Sequence, residues 1–203
     1  MSGIIAQNSG RHTGLVKASS GGGGVWNLIL TQTASASATI SFTSGIDSTY
    51  DEYVFKLINI HPATDQTNFM FQGNAAGGSG YNETITSTAF QTQHSEADAL
   101  EQSYETGQDQ AEGTAFQEIG HELGTDNDQS SSGVLYLYGP SSTTYQKHWI
   151  AEGITYRYND RIQQLKTAGY FNTTSAIDEI QFKMSSGNMD AGIISLYGIS
   201  WST

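Results

Sequence analysis

The sequence predicts an all-β protein, an antiparallel β-sandwich of jelly-roll type with an extended N-terminal arm. The clearest observation is a two-residue period near the C-terminus, where Ile180, Phe182 and Met184 alternate with polar residues. Only an extended strand buries one face with that spacing. The composition agrees, because 23 Gly and 11 Tyr accompany only 14% charged residues and helix-forming runs are missing.

Apolar and β-branched runs separated by turn residues predict ten or eleven strands. The run at residues 53–60 is apolar on both faces, so it is expected to lie centrally in a sheet. Residues 94–113 place alanines among acids and are expected to form a loop or a short helix. Runs with strand character occur at residues 26–30, 39–42, 53–60, 68–72, 81–90, 116–119, 134–138, 145–150, 154–158, 168–171, 179–185 and 193–199.

The last two strands are expected to form a hairpin about the turn residues 186–188. In that arrangement Ile194 and Leu196 pair beside Phe182 and its neighbours. Phe182 is then a core residue, and the C-terminal strand is indispensable to the fold.

The chain divides into three parts by composition. Residues 1–18 form a docking arm, residues 19–24 a flexible Gly/Ser tether, and residues 25–203 the β-sandwich domain. The arm has apolar and cationic groups but too little chain to bury them, so we expect it to dock on a partner. The expected docking residues are Ile4, Ile5, Arg11, Leu15, Val16 and Lys17.

The formal net charge of −12 is unevenly distributed along the chain. Between Lys56 and Lys147 there are twelve acids and no Lys or Arg. Such a stretch repels phosphates, so we expect no nucleic-acid partner. A solvated acidic surface and a surface shaped for a basic partner both fit the pattern. No apolar run has the length of a membrane span and no signal peptide is recognisable, so synthesis in a cytosol without export by a cleaved signal is expected.

Metal or cofactor binding is not expected. The chain has no Cys. His121-Glu122 begins like a zinc-binding HExxH helix, but Thr125 stands where the second His is required. Asp126 and Asp128 lack the Gly and the bidentate Glu of a calcium loop, so a turn is expected there.

Aromatic residues cluster between residues 136 and 170. Aromatic faces stack on sugars or anchor protein interfaces, although part of this cluster is equally expected to fill the core. The residues considered for contact with a glycan or a partner are Tyr145, Trp149, Tyr156 and Tyr158.

Three passages resemble structural proteins of tailed bacteriophages, especially those of marine and other aquatic hosts. They are the opening MSGIIAQNSGRHTGLVKA, the central SFTSGIDSTYDEYVFKLINIHPATD and the closing NTTSAIDEIQFKMSSGNMDAGIISLYGI. The last contains a Gly-x-Ile-x-Leu-Tyr-Gly-Ile strand at residues 192–199, which recurs in fibre, baseplate and capsid-associated proteins. The resemblance implies a virion component and provides no catalytic residues.

The expected function is therefore that of a non-enzymatic virion component, in a fibre, a baseplate or a capsid decoration, that contacts other virion proteins. By resemblance we expect a homo-oligomer, with a homotrimer favoured. The alternative is a carbohydrate-binding β-sandwich that contacts a host surface glycan. A polysaccharide-degrading enzyme is a third, weaker hypothesis.

Overall fold

The computed structural model describes residues 24–200, and within them the predicted antiparallel β-sandwich is confirmed, with twelve strands and no helix. An eight-stranded sheet, in the order β1-β12-β3-β8-β9-β10-β5-β6, packs on a four-stranded sheet, β2-β11-β4-β7. The strands are β1 Val25–Ser37, β2 Thr39–Phe42, β3 Glu52–Pro62, β4 Thr67–Ala75, β5 Ile85–Ser95, β6 Leu100–Tyr104, β7 Gln117–Leu123, β8 Ser131–Tyr138, β9 Lys147–Tyr156, β10 Arg161–Phe171, β11 Ile177–Met184 and β12 Met189–Ser200.

Eight of the strands pair as the two arms of one long hairpin would. β1 pairs with β12, β2 with β11, β3 with β8 and β4 with β7, so each pair encloses the next along the chain. Successive pairs alternate between the large and the small sheet. The two insertions, β5–β6 and β9–β10, extend the large sheet on the side of β8.

Aromatic rings fill the space between the two sheets. Phe182 from the small sheet meets Phe55 from the large sheet edge to face, with ring centroids 5.3 Å apart. Phe42 contacts Phe55 in the same manner at 5.2 Å, and Phe69 stacks on Phe182 at 5.8 Å. Such contacts add to the stabilisation from burial itself. The prediction that Phe182 lies in the core is confirmed, together with Ile180 and Met184.

The predicted C-terminal hairpin is wrong. β11 pairs with β2 and β4 in the small sheet, whereas β12 pairs with β1 and β3 in the large sheet. The connection crosses between the sheets, because the Ser185 amide donates to Asn68 at 2.8 Å while the Asn188 carbonyl accepts from Ala63 at 2.9 Å. Ile194 and Leu196 are buried in the core, but they reach it from the sheet opposite Phe182.

Two further expectations are corrected. The segment 94–113, expected as a loop or short helix, contains the edge strand β6 between loops. The strands predicted at residues 145–150 and 154–158 are a single strand, β9. Gly153 lies inside that strand, where a Cβ atom would collide with the Ile119 carbonyl oxygen of β7. This glycine therefore permits close packing of the sheets and does not end the strand.

Candidate functional site

The surface of the eight-stranded sheet that faces away from the small sheet, here called the outer face, follows from the strand registers. Residues directly opposite each other in an antiparallel pair project to the same side. The chain neighbours of the outward residues, such as Phe55 and Leu135, are buried in the core. One outward row crosses all eight strands: Thr31, Ser195, Lys56, Val134, Glu152, Lys166, Phe90 and Tyr104.

The outer face is unusually apolar for a sheet surface in contact with water. Solvated faces of antiparallel sheets normally carry polar side chains. Ten of the fourteen large apolar or aromatic side chains exposed within residues 24–200 project from this face, so the exposure is concentrated and not scattered. They are Trp26, Leu28, Ile58, Phe90, Leu100, Tyr104, Tyr138, Ile154, Ile162 and Ile193. Concentrated patches of this kind mark interaction surfaces.

One end of the outer face is aromatic. Trp26 of β1 meets Tyr197 of β12 edge to face at 5.5 Å, and the Lys56 ammonium lies 4.9 Å from the centroid of the Trp26 ring. Tyr136 and Tyr138 stack at 6.3 Å nearby on β8. Aromatic anchors and a cation on an indole ring are typical of protein interfaces.

A carboxylate is embedded in this aromatic end. Glu52 lies between Ile199 and Tyr138 in the strand register, and burial raises the pKa of its carboxyl group. The pKa of Tyr138 is also raised, first by burial and then by the charge of Glu52. An ionised Glu52 is therefore less favourable here than in water.

The opposite end of the outer face contains a depression, here called the distal groove. Leu100, His94, Ile162 and Tyr156 lie side by side on β6, β5, β10 and β9, and Ile154 follows on the same side of β9. Two adjoining hollows of about 650 and 490 Å³ share His94 and Ile162. The groove floor thus has apolar side chains on β6, β9 and β10, with His94 on β5 and the polar Thr92, Gln102 and Gln164 beside them.

Carboxylates surround this floor. Glu96, Asp98 and Asp160 line one hollow and Glu101 lines the other. Three of these carboxylates have a polar partner. His94 Nε2 is 3.1 Å from Asp98, Arg161 Nη1 is 3.7 Å from Glu101, and the Tyr156 hydroxyl donates to Asp160 at 3.3 Å. The pKa of Tyr156 is raised by desolvation and by the charges of Asp160 and Glu96. Glu101 and Arg161 alternate with the outward Leu100 and Ile162, so they project to the inner side of the sheet, as Gln93 opposite Glu101 does. The outer rim therefore consists of Glu96, Asp98 and Asp160, and it is electronegative.

A buried polar layer supports the groove from inside the sandwich. Arg157 donates to the side chain of Gln93 and forms an ion pair with Glu122 of β7. Gln129 donates to the Arg157 carbonyl oxygen at 3.2 Å, and Gln93 donates to Gln91 at 3.0 Å. Burial is the first cause that lowers the pKa of the Arg157 guanidinium. These contacts tie β5 and β7 to Arg157, the residue that follows β9, beneath the groove floor.

The four aromatic residues singled out from the sequence do not form one surface. Trp149 is buried in the core, where its ring meets Phe71 edge to face at 5.1 Å, so its assignment as a contact residue is wrong. It faces inward because it lies two residues from Ala151 in the alternating β9. Tyr145 and Tyr158 flank opposite ends of that strand, both exposed. Of the four, Tyr156 alone lines the distal groove.

The proposed docking residues of the arm, Ile4, Ile5, Arg11, Leu15, Val16 and Lys17, lie outside the described residues, as do residues 19–23 of the tether. Their role stays a prediction.

The His121-Glu122 motif lies on strand β7 and not on a helix. The His121 Nδ1 atom is 3.0 Å from Glu118, and its Nε2 is 3.7 Å from Glu122. Asp126 and Asp128 belong to a turn in which the Gln129 amide donates to the Asp126 carbonyl oxygen at 2.8 Å. Within residues 24–200, no three His, Asp or Glu side chains converge in a way that could hold a metal ion.

Comparisons of the chain with protein-family models and with curated protein sequences give no match. The part of the chain that the structure describes has no helix long and apolar enough to span a membrane.

Sequence reasoning missed most residues of the outer face, although a signal was present. The segment 53–60 is apolar on both faces, which indicates a central strand but equally a strand with one face in the core and one in an interface. Ile58 is on the outward side. Nothing in the sequence indicates that His94 and Leu100 lie side by side, because β6, the strand that brings Leu100 beside His94, is not predicted from it.

Proposed function

We propose that this protein is a non-enzymatic structural component of a tailed-bacteriophage virion, in a fibre, a baseplate or a capsid decoration, anchored by its N-terminal arm. The observation that carries the proposal is the apolar outer face of the eight-stranded sheet. A face that exposes Leu28, Ile58 and Ile193 gains stability when another protein covers it. Assembly into a particle provides such a cover.

The strand order supports a jelly-roll assignment for the eight nested strands. In a jelly roll, one long hairpin rolls up so that alternate pairs form two four-stranded sheets. β1-β12-β3-β8 opposite β2-β11-β4-β7 has that order. Jelly rolls are common in viral capsid and lectin domains. The topology therefore agrees with a virion role and also with sugar binding, and it does not decide between them.

A closed homo-oligomer, with a trimer favoured, is part of this proposal. β1 and β6 are the edges of the large sheet, and β1 is a thirteen-residue strand with its outer edge unpaired within the sheet. Long open edges are normally covered or closed by symmetry. An oligomer that covers β1 together with the outer face accounts for both features.

Mass spectrometry of purified phage particles that encode this chain tests the proposal. We expect the chain in a fixed ratio to the major capsid protein, retained through a density gradient and a salt wash. Its absence from washed particles, with abundant free protein in the lysate, would overturn the virion assignment.

The alternative function, carbohydrate binding, now depends on the distal groove. Tyr156 provides an aromatic face in one hollow, and Thr92, Gln102 and Gln164 provide hydrogen-bonding groups in the adjoining hollow. A glycan array with the wild-type chain and a Tyr156→Ala variant tests it. If the wild-type chain binds a glycan and the Tyr156→Ala variant does not, the result supports carbohydrate binding. If the wild-type chain binds no glycan on the array, the result contradicts carbohydrate binding.

A further inference from the structure

We propose that the distal groove of one copy binds residues 11–17 of the N-terminal arm of a neighbouring copy. The inference rests on the anchoring role of the arm proposed above and names its partner. The groove has a hydrophobic floor built by Leu100, Ile154 and Ile162, with exposed fractions of 78%, 52% and 48%. Its rim is electronegative, so it suits a segment that is both apolar and cationic.

The N-terminal arm is both apolar and cationic. Residues 1–23 contain Arg11 and Lys17 and no acid, whereas residues 24–200 contain all twenty acids and six Lys or Arg. Within residues 11–17, Leu15 and Val16 lie between the two cations. The apolar pair matches the groove floor and the flanking charges match its rim. Charge complementarity of this kind steers association and fixes register.

The reach of the tether favours a neighbouring copy over the same chain. The described chain begins beside Val25 on β1, while the centre of the groove, Ile162, lies five strands away and about four outward rows along the sheet. At 4.8 Å per strand and 6.8 Å per row, that separation is roughly 36 Å. The nine residues from Val16 to Val25 span at most about 32 Å when fully extended. The position of a groove in an adjacent copy relative to Val25 is not fixed by the fold of one chain, so the length of the tether does not exclude it.

Charge also distinguishes the arm from the other candidate occupant. A neutral glycan can donate hydroxyl hydrogen bonds to Glu96, Asp98 and Asp160, but it carries no charge that offsets the repulsion among these carboxylates. A basic, apolar peptide uses both the floor and the rim. The arm of another copy is the cationic segment that the chain itself provides.

Disulfide trapping tests the proposal cleanly, because the chain has no cysteine. Two single variants of the full chain, Leu15→Cys and Leu100→Cys, are mixed and oxidised mildly. The mixed dimer is separated on a non-reducing gel, with one variant carrying a size tag. Leu28→Cys is the matched control, since it is exposed on the same outer face but at the aromatic end.

We expect the Leu15–Leu100 pair to cross-link at least about tenfold faster than the Leu15–Leu28 pair, which corresponds to ~1.4 kcal/mol of preference. Added salt and the triple change Glu96→Gln, Asp98→Asn and Asp160→Asn should remove most of that difference. Equal rates for the two pairs would overturn the proposal, as would a groove occupied by glycan or by the arm of the same chain, since both block the mixed dimer. The virion assignment is judged separately, on the protein content of washed particles.

Discussion

Ile58 of β3 and Ile193 of β12 lie directly opposite each other on the outer face, with exposed fractions of 46% and 39%. β3 and β12 are adjacent interior strands of the large sheet, and their alternate residues fill the core. An outward pair of β-branched apolar residues in the middle of a sheet is compatible with a folded protein in water. Covering the pair with another protein lowers the free energy, because it removes apolar surface from water.

Replacing both residues by Thr should therefore separate assembly from folding. Thr keeps the β-branch and the strand preference, so we expect the free energy of unfolding to change by less than about 1 kcal/mol. Incorporation into particles should fall strongly. Val25→Thr is the control, because it removes an exposed apolar group that is not among the outer-face residues. Equal incorporation of both variants would show that the outer face is not buried on assembly.

The core aromatic contacts predict a large stability loss at Phe182. Its ring is fully buried among Phe42, Phe55, Phe69 and Phe71, so Phe182→Ala should cost about 3–5 kcal/mol. That is a large share of a typical total stability. Leu28→Ala, at an exposed position, should stay within about 0.5 kcal/mol. Urea unfolding followed by fluorescence measures both, and similar costs would contradict the described core.

The buried ion pair predicts a contrast between two glutamates. Glu122→Gln leaves the guanidinium of Arg157 buried without its counter-charge, which should cost about 3–5 kcal/mol. Glu152→Gln removes a 2.6 Å pair with Lys166 whose side chains are 38% and 57% exposed, so it should cost less than about 1 kcal/mol. Thermal unfolding of the two variants is the measurement. If Glu122→Gln leaves the free energy of unfolding unchanged, the guanidinium of Arg157 is solvated in the folded protein.

Glu52 predicts a stabilising substitution with a defined pH dependence. Its pKa is raised above the ordinary 4.5 in the folded protein, so the ionised form opposes folding. The penalty is absent below the unfolded-state pKa, grows as the pH rises from that value to the folded-state pKa, and is constant above it. Glu52→Gln should therefore be more stable than the wild type near pH 7, and this gain should vanish in acid. Urea titrations at several pH values test this, and a constant difference would point to packing instead of charge.

Removal of residues 1–24 should separate the arm from the fold. The described core involves residues 25–200, so we expect the truncated protein to unfold at an unchanged urea midpoint. It should no longer be incorporated into particles. Replacing residues 19–24 by another six-residue Gly/Ser sequence is the control and should preserve incorporation. Normal copy number of the truncated protein would exclude the arm as the anchor.

The sequence predicts the fold class because strand periodicity is a local property. Ile180, Phe182 and Met184 alternate in the chain and face the core in the structure. The partner of a strand is not local, which explains the wrong hairpin: the turn after Ser185 crosses between sheets, and the Asn68 and Ala63 backbone groups that hold it lie more than a hundred residues away. The distal groove was hidden for the same reason, since it requires four strands from distant segments.

Cryo-electron microscopy of intact particles would show whether the outer face is an assembly surface of a virion protein. We expect density for this chain at a fixed position, with Leu28, Ile58 and Ile193 covered by a neighbouring subunit. A reconstruction in which the chain is present but its outer face is fully solvated would contradict this expectation.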